Sequence, residues 1–211
     1  MPLFPKGRSG ILANGKEKMD WILASASPRR KELLRELLPS FGVIPARGEE
    51  YVDLSLPPEE VVKRLAAHKA EEVALLPEAR GKAVLGADTV VAIGGGILGK
   101  PKSEEEAKAM LRLLSGKEHS VFTGVCLIFP DGGKIVRHDE TKVKFKPFTE
   151  EFIRDYVAGG SPMDKAGAYG IQGKCAIFVD KIDGDYNNVV GLPVAAIYRE
   201  LKKLGIDIYL W

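Results

Sequence analysis

The hydrophobic pattern divides the chain into alternating segments, beginning with Trp21–Leu38. Trp21 to Ala24 is a short apolar run that predicts a buried strand. Leu33, Leu34, Leu37 and Leu38 then recur at helical spacing and form a stripe facing a core. Between the two, Ser27 has the chemistry of an N-cap, and Pro28 stands where a missing N–H costs nothing.

The same reading continues along the chain. Phe41–Ala46 predicts a second strand, and Arg47 to Glu50 a polar loop. Pro57 and Pro58 open a helix to about Leu76, with Val61, Val62, Leu65, Ala66, Val73 and Leu76 on its buried side. Ala83–Ile93 is nearly continuous apolar sequence rich in valine, which predicts a central strand buried on both faces. Gly94-Gly95-Gly96 turns it into Ile97-Leu98. Ser103 with Glu106 forms a capping box for a helix ending near Leu114. His119–Phe129 and Lys134–Phe145 are strands joined by a Pro-Asp-Gly-Gly turn. Thr149–Ala158 reads as a helix, Gly159–Gly173 as a glycine-rich loop, Cys175–Ile182 as a strand and Leu192–Leu204 as a helix. Asp183 to Asn188 reads as a turn. Alternating strands and helices with hairpins in the middle give an α/β fold with a mixed sheet. Met1–Asp20 shows no period and reads as a loose extension, with Met19 as an alternative first residue.

Composition narrows the function classes. Among 211 residues, 31 basic and 29 acidic side chains nearly cancel, unlike a dedicated nucleic-acid binder. No apolar run is long enough to span a bilayer, and no secretory signal is expected at the amino terminus. The two cysteines, Cys126 and Cys175, each lie in apolar surroundings and read as buried thiols of a cytoplasmic protein.

The candidate chemistry sits where local rules are broken. Ser25, Ser27, Arg29 and Arg30 gather at the start of a helix. The dipole there disfavours positive charge, while the free N–H groups and guanidinium forks suit phosphate oxygens. Asp88 is an acid inside an apolar strand, a costly placement without a partner cation or metal. Its neighbours Gly86 and Ala87 leave room for a ligand. Glu49 and Glu50, in a loop after another strand, are candidates to join Asp88 around a divalent cation. Lys69 lies along the apolar stripe of its helix, so it either snorkels to water or reaches into a site. Lys100 follows the hairpin that returns from the Asp88 strand. In Ser161–Gly173, small residues surround Asp164, Lys165, Tyr169 and Gln172. Gln172 can read a base edge and Tyr169 can stack on it.

Taken together, LASASPRRKELL, GADTVV, GKP, LSGKEHSVFTGV and DKAGAYGIQG followed by VVGLP resemble the Maf proteins, which are nucleoside triphosphate pyrophosphatases. The resemblance runs from about Trp21 to Leu204. It implies an inosine-triphosphatase-like fold over 21–211: one catalytic domain of two lobes, an elongated mixed sheet with flanking helices and a central cleft. It implies hydrolysis of a nucleoside triphosphate to monophosphate and pyrophosphate with a divalent cation, Mg2+ or Mn2+, held by Glu50 and Asp88. Asp88 corresponds to the proton acceptor; Ser25, Arg29 and Arg30 to the phosphate motif; Glu50, Lys69 and Lys100 to polar cleft residues. Arg29, Thr89 and Gln172 match specificity positions, and the DKAGAYGIQG loop looks like the branch acting on dTTP and UTP. The resemblance also implies a homodimer in the cytoplasm. The competing class is a nucleotide-binding regulator of cell division with little turnover.

Overall fold

The computed structural model describes residues 19–48, 53, 55–206 and 208. The extension therefore lies outside the described residues except for its last two positions. The first strand, β1 (Trp21–Leu23), is fully buried and runs into α1 (Pro28–Arg35). Ser27 caps α1, its Oγ accepting from Arg30 N at 3.4 Å. The helix stops before the leucine stripe ends, but Leu38 N still reaches the Leu34 carbonyl at 2.8 Å, and both leucines reach the core. The second expected strand shrinks to β2 (Gly42–Val43), an exposed edge pair on β1. An edge strand with two prolines nearby, Pro39 and Pro45, has few ladder hydrogen bonds to form.

The helix α2 (Pro58–Ala74) buries Val61, Val62, Leu65, Ala66, Ala70 and Val73. Leu76 lies beyond its end and is exposed, unlike the expectation. Next come β3 (Ala83–Ile93), β4 (Gly96–Leu98) and α3 (Glu104–Leu114). Ser103 Oγ accepts from Glu106 N at 3.2 Å, while the Glu106 carboxylate reaches Lys102 N at 2.7 Å, one residue before the cap. Then follow β5 (Glu118–Ile128), β6 (Lys134–Phe145) and α4 (Glu150–Ala158), capped by Thr149.

In the last third the structure departs from the sequence pattern twice. The segment expected as a strand from Cys175 begins instead as a 3-10 helix over Lys174–Phe178, and only β7 (Val179–Asp183) is extended. The expected turn after it is a short helix, α5 (Tyr186–Val190), capped by the Asp185 side chain, which accepts from Asn187 N at 2.8 Å. The last helix, α6 (Val194–Lys203), starts after Pro193.

The sheet order is β2-β1-β3-β5-β6-β7, with β4 also on β3. Pairing is parallel among β1, β2 and β3 and antiparallel elsewhere, so the sheet is mixed. One core cluster packs α1 and α6 against the β1 end; another packs α3, α4 and residues 163–175 against the β6 end. The opposite face carries α2, which packs against β3 and β5. Two glycines admit it: a Cβ on Gly86 would overlap the backbone of Ala66 and Ala70, and one on Gly124 that of Val62. The space beside Gly86 is thus taken by α2 rather than left for a ligand, and Ala87 is buried in the α1 and α6 cluster. No helix among the described residues is long and apolar enough to cross a membrane.

Candidate active site

The site is a break in the ladder. β1 pairs with β3 at Ala83–Leu85, and Ala24 N adds a last rung to Leu85 O. β4 pairs with the same edge of β3 only from Val91 to Ile93. Residues 86–90 of that edge face no strand among the described residues. A cavity of about 390 Å³ opens there, lined by Arg29, Arg30, Lys69, Asp88, Thr89, Lys100, Asp164 and Gln172 among others. Ser25 lines an adjoining hollow together with Arg29, Arg30, Lys69 and Lys100. Of the residues singled out in the sequence, only Glu49 and Glu50 lie outside the described residues.

Side chains alternate along β3, so Asp88 points to the α2 face and Thr89 to the other. Asp88 meets Lys69 in an ion pair. Each side chain is 13% exposed, so the pair is largely withdrawn from water, and the ammonium supplies the partner that a buried carboxylate requires. The lysine on the apolar stripe thus reaches a site.

Thr89 belongs to a second cluster. Arg30 Nη2 donates to Thr89 Oγ1 at 3.0 Å, Nη1 to Ser25 Oγ at 3.2 Å and Nε to the Gly191 carbonyl at 2.9 Å. Gly191, at φ 124°, sits where a Cβ would lie 3.4 Å from Thr89 Oγ1. Arg29 reaches across the cleft to Asp164, Nη1 to Oδ2 at 2.9 Å. Burial pushes the Asp164 carboxyl up, but hydrogen bonds from Lys165 and Arg29 outweigh it and hold it below the ordinary carboxylate value.

The 161–173 loop is tied down at several points. Gly167 N donates to Gly99 O at 3.0 Å and Gly170 N to the Tyr156 hydroxyl at 3.1 Å. Gly167 and Ala168 both take left-handed backbone, φ 66° and 59°. Alanine there is uncommon, and such strain persists only where the surroundings over-determine it. Tyr169 does not stack on an open cleft as expected. It is 5% exposed, edge-on to Phe145, with its hydroxyl 2.8 Å from His119 Nε2. Burial raises the Tyr169 phenol well above its usual value and lowers His119 to about 4, so both stay neutral. Gln172 is exposed on the cleft wall. Burial likewise pushes both thiols to about 12, and the cysteines are unpaired and inert.

Among the described residues, no three His, Cys, Asp or Glu side chains cluster to cage a metal. Two carboxylates of the described residues line the cavity: Asp88, with one oxygen on Lys69, and Asp164, which is held by Arg29 and Lys165. That set suits magnesium in the form in which phosphate oxygens and waters supply most of the ligands.

Sequence reasoning missed Thr123, Asn188 and Gly191. Thr123 and Gly191 fall inside the motifs LSGKEHSVFTGV and VVGLP, and Asn188 inside the expected turn, but none had a role of its own there; only the fold brings them behind Thr89 and Arg30.

A Maf-like protein family model matches residues 20–204, so the chain belongs to the Maf family. A dTTP/UTP pyrophosphatase of Agathobacter rectalis is 52% identical over 202 residues, covering 89% of this chain and 98% of that one. A dTTP/UTP pyrophosphatase of a Geobacillus species is 52% identical over 184 residues, covering 87% and 97%. A solved HAM1 protein from Coxiella burnetii aligns at 18% identity with TM-score 0.49, covering 88% of this chain and 100% of that one.

Proposed function

We propose that the protein hydrolyses dTTP and UTP to the monophosphate and pyrophosphate. The observation that carries this reading is the Asp88–Lys69 pair set in the unpaired stretch of β3, facing the Arg-bearing start of α1 across one cavity. The half-identical relatives named as dTTP/UTP pyrophosphatases support it.

In this reading the α1 N-terminus, Arg29, Arg30 and Lys100 neutralise the triphosphate. Asp88 accepts a proton from water as its oxygen attacks the α-phosphorus, and the bond to the bridging oxygen of pyrophosphate breaks. Lys69 offsets the charge of the carboxylate beside the phosphates. The cations that hold the β- and γ-phosphates stabilise the leaving group. A divalent cation bound with substrate adds Lewis-acid polarisation of phosphate oxygens and a more acidic water. Asp88, with Glu50 as expected from the resemblance, would hold it. Gln172 faces the base. The homodimer and the cytoplasmic setting belong to the same reading.

The test is a turnover panel with magnesium and dTTP, UTP, CTP, GTP, ATP and 7-methyl-GTP, assaying pyrophosphate and orthophosphate separately. Pyrophosphate chiefly from dTTP and UTP is expected. Orthophosphate alone would point to a phosphatase. No turnover by folded protein would favour a nucleotide-binding regulator.

A further inference from the structure

Behind the arginine fork runs a chain of hydroxyls whose direction can be deduced. Thr123 lies on β5, directly opposite Thr89 in the β3–β5 register, and is fully buried. Its Oγ1 is 2.9 Å from the Asn188 carbonyl and 3.0 Å from Thr89 Oγ1. A carbonyl can only accept, so the single Thr123 proton points to Asn188. Toward Thr89, Thr123 is left with lone pairs, and Thr89 must therefore donate to it. Thr89 in turn has lone pairs for the Arg30 Nη2 proton, 3.0 Å away. The chain reads Arg30 to Thr89 to Thr123 to Asn188, with both hydroxyl protons assigned.

The terminal carbonyl is itself fixed. Asn188 is fully buried in α5, and its Nδ2 donates to Val121 O and Thr141 Oγ1, both at 3.0 Å. Thr141 Oγ1 also donates to Asp185 O at 3.1 Å and accepts from Asp185 N at 3.0 Å. Thus α5 is held to β5 and β6, and its C-terminal Gly191 carbonyl takes Arg30 Nε.

We propose that Thr123 is a positioning residue for the phosphate cleft: by fixing the Thr89 hydroxyl as an acceptor, it orients the Arg30 guanidinium. The Thr89 proton is committed to Thr123, so Thr89 acts on the substrate through Arg30 rather than by donating to the nucleotide. The inference deepens the proposed function, since it takes the cleft to bind a phosphate chain.

The test uses pyrophosphate as the probe, with its dissociation constant measured by calorimetry on the intact protein, alongside kcat and KM for dTTP. Thr123→Val keeps shape and removes the link; Thr123→Ser keeps the link. We expect Thr123→Val to weaken pyrophosphate binding about fivefold to tenfold, the scale of one hydrogen bond. KM should rise by a similar factor, and kcat should fall with it, because Arg30 is among the cations that stabilise the leaving group. Thr123→Ser should stay within about twofold of wild type. Because Thr123 acts through Thr89, adding Thr123→Val to Thr89→Val should cost little more than Thr89→Val alone. Unchanged binding by Thr123→Val, or losses that multiply in the double variant, would overturn the proposal. Should Thr123→Val not fold, Thr89→Val against Thr89→Ser carries the same test, and equal binding by those two overturns it. Wild-type protein that binds pyrophosphate yet turns over no nucleotide would sink the proposed reaction and leave the chain standing. Wild-type protein that binds no pyrophosphate would overturn both.

Discussion

Asp88 concentrates the chemistry into one side chain, and its environment sets what a substitution does. Asp88→Asn keeps the shape and removes the charge. A positioned general base contributes about 10²–10⁴ in rate, so kcat for dTTP should fall by at least that lower factor. The change turns the Asp88–Lys69 ion pair into a neutral contact, so melting should shift while remaining cooperative. A folded variant with near-wild-type rate would remove Asp88 from the mechanism. Gln172 is the opposite case, an exposed side chain on the cleft wall. Gln172→Ala should leave stability within about 0.5 kcal/mol and should lower the dTTP-to-CTP ratio of kcat/KM about tenfold, the worth of a hydrogen bond to the base edge. An unchanged ratio would place the base elsewhere. The placement of both on one cleft was legible in the sequence because each sits in the wrong company: an acid among valines, an amide among glycines. Thr123 and Asn188 were illegible for the converse reason. A threonine in a strand is ordinary, and only the β3–β5 register makes this one part of the site. Tyr169 misled because glycines around an aromatic residue read as open loop, whereas burial against Phe145 and His119 uses the same sequence.

At the scale of elements, the site depends on how closely α2 approaches the sheet. Gly86 and Gly124 remove the Cβ atoms that would hold it off. What a methyl at Gly86 meets is mainly backbone of α2, with Ala70 N at 2.8 Å, so no flexible side chain can yield. Gly86→Ala should therefore cost at least the 1–3 kcal/mol of ordinary overpacking, or roughly 3–10 °C in melting temperature for a chain of this size. It should also lower kcat, because lifting α2 withdraws Lys69 from Asp88. Gly94→Ala is the control. It lies in the β3–β4 turn at φ 59° with open space around it, so it pays backbone strain of about 1 kcal/mol and should leave kcat unchanged. Equal effects of the two substitutions would refute the close-approach account. Long periodic elements such as α2, β3, β5 and β6 could be read from the sequence, since their patterns persist over 11 to 17 residues. The five-residue α5 and the 3-10 turn over Lys174–Phe178 could not. At that length capping and tertiary contacts decide the conformation, and periodicity has no room to show.

For the molecule as a whole, His119 links the packing of the β6-end core to pH. It is 3% exposed on β5, held between Phe145 and Tyr169, and Tyr169 in turn lines the cleft. Burial without a countercharge lowers its pKa from the ordinary 6.5 to about 4. In the unfolded chain His119 takes a proton near pH 6.5; in the folded protein it resists until about 4. Between those values the unfolded state binds the extra proton, so acidification favours unfolding. The neutral imidazole's contribution is complete above pH 6.5 and is lost progressively toward pH 4, roughly 3 kcal/mol in all. The exposed carboxylates in ion pairs, Glu105 and Glu150 among them, have lowered pKa values, and they lose their contribution only at the acid end of that range. Urea unfolding at steps from pH 7.5 to 4 should therefore show stability falling from about pH 6.5, above the carboxylate range. His119→Gln should lower stability at pH 7.5 by removing the packed ring, yet flatten the slope between 6.5 and 4. An equal slope in both proteins would mean that the proton enters elsewhere. A flattened slope would mean that protonating this one imidazole, packed against Tyr169 beside the cleft, is what destabilises the fold on acidification.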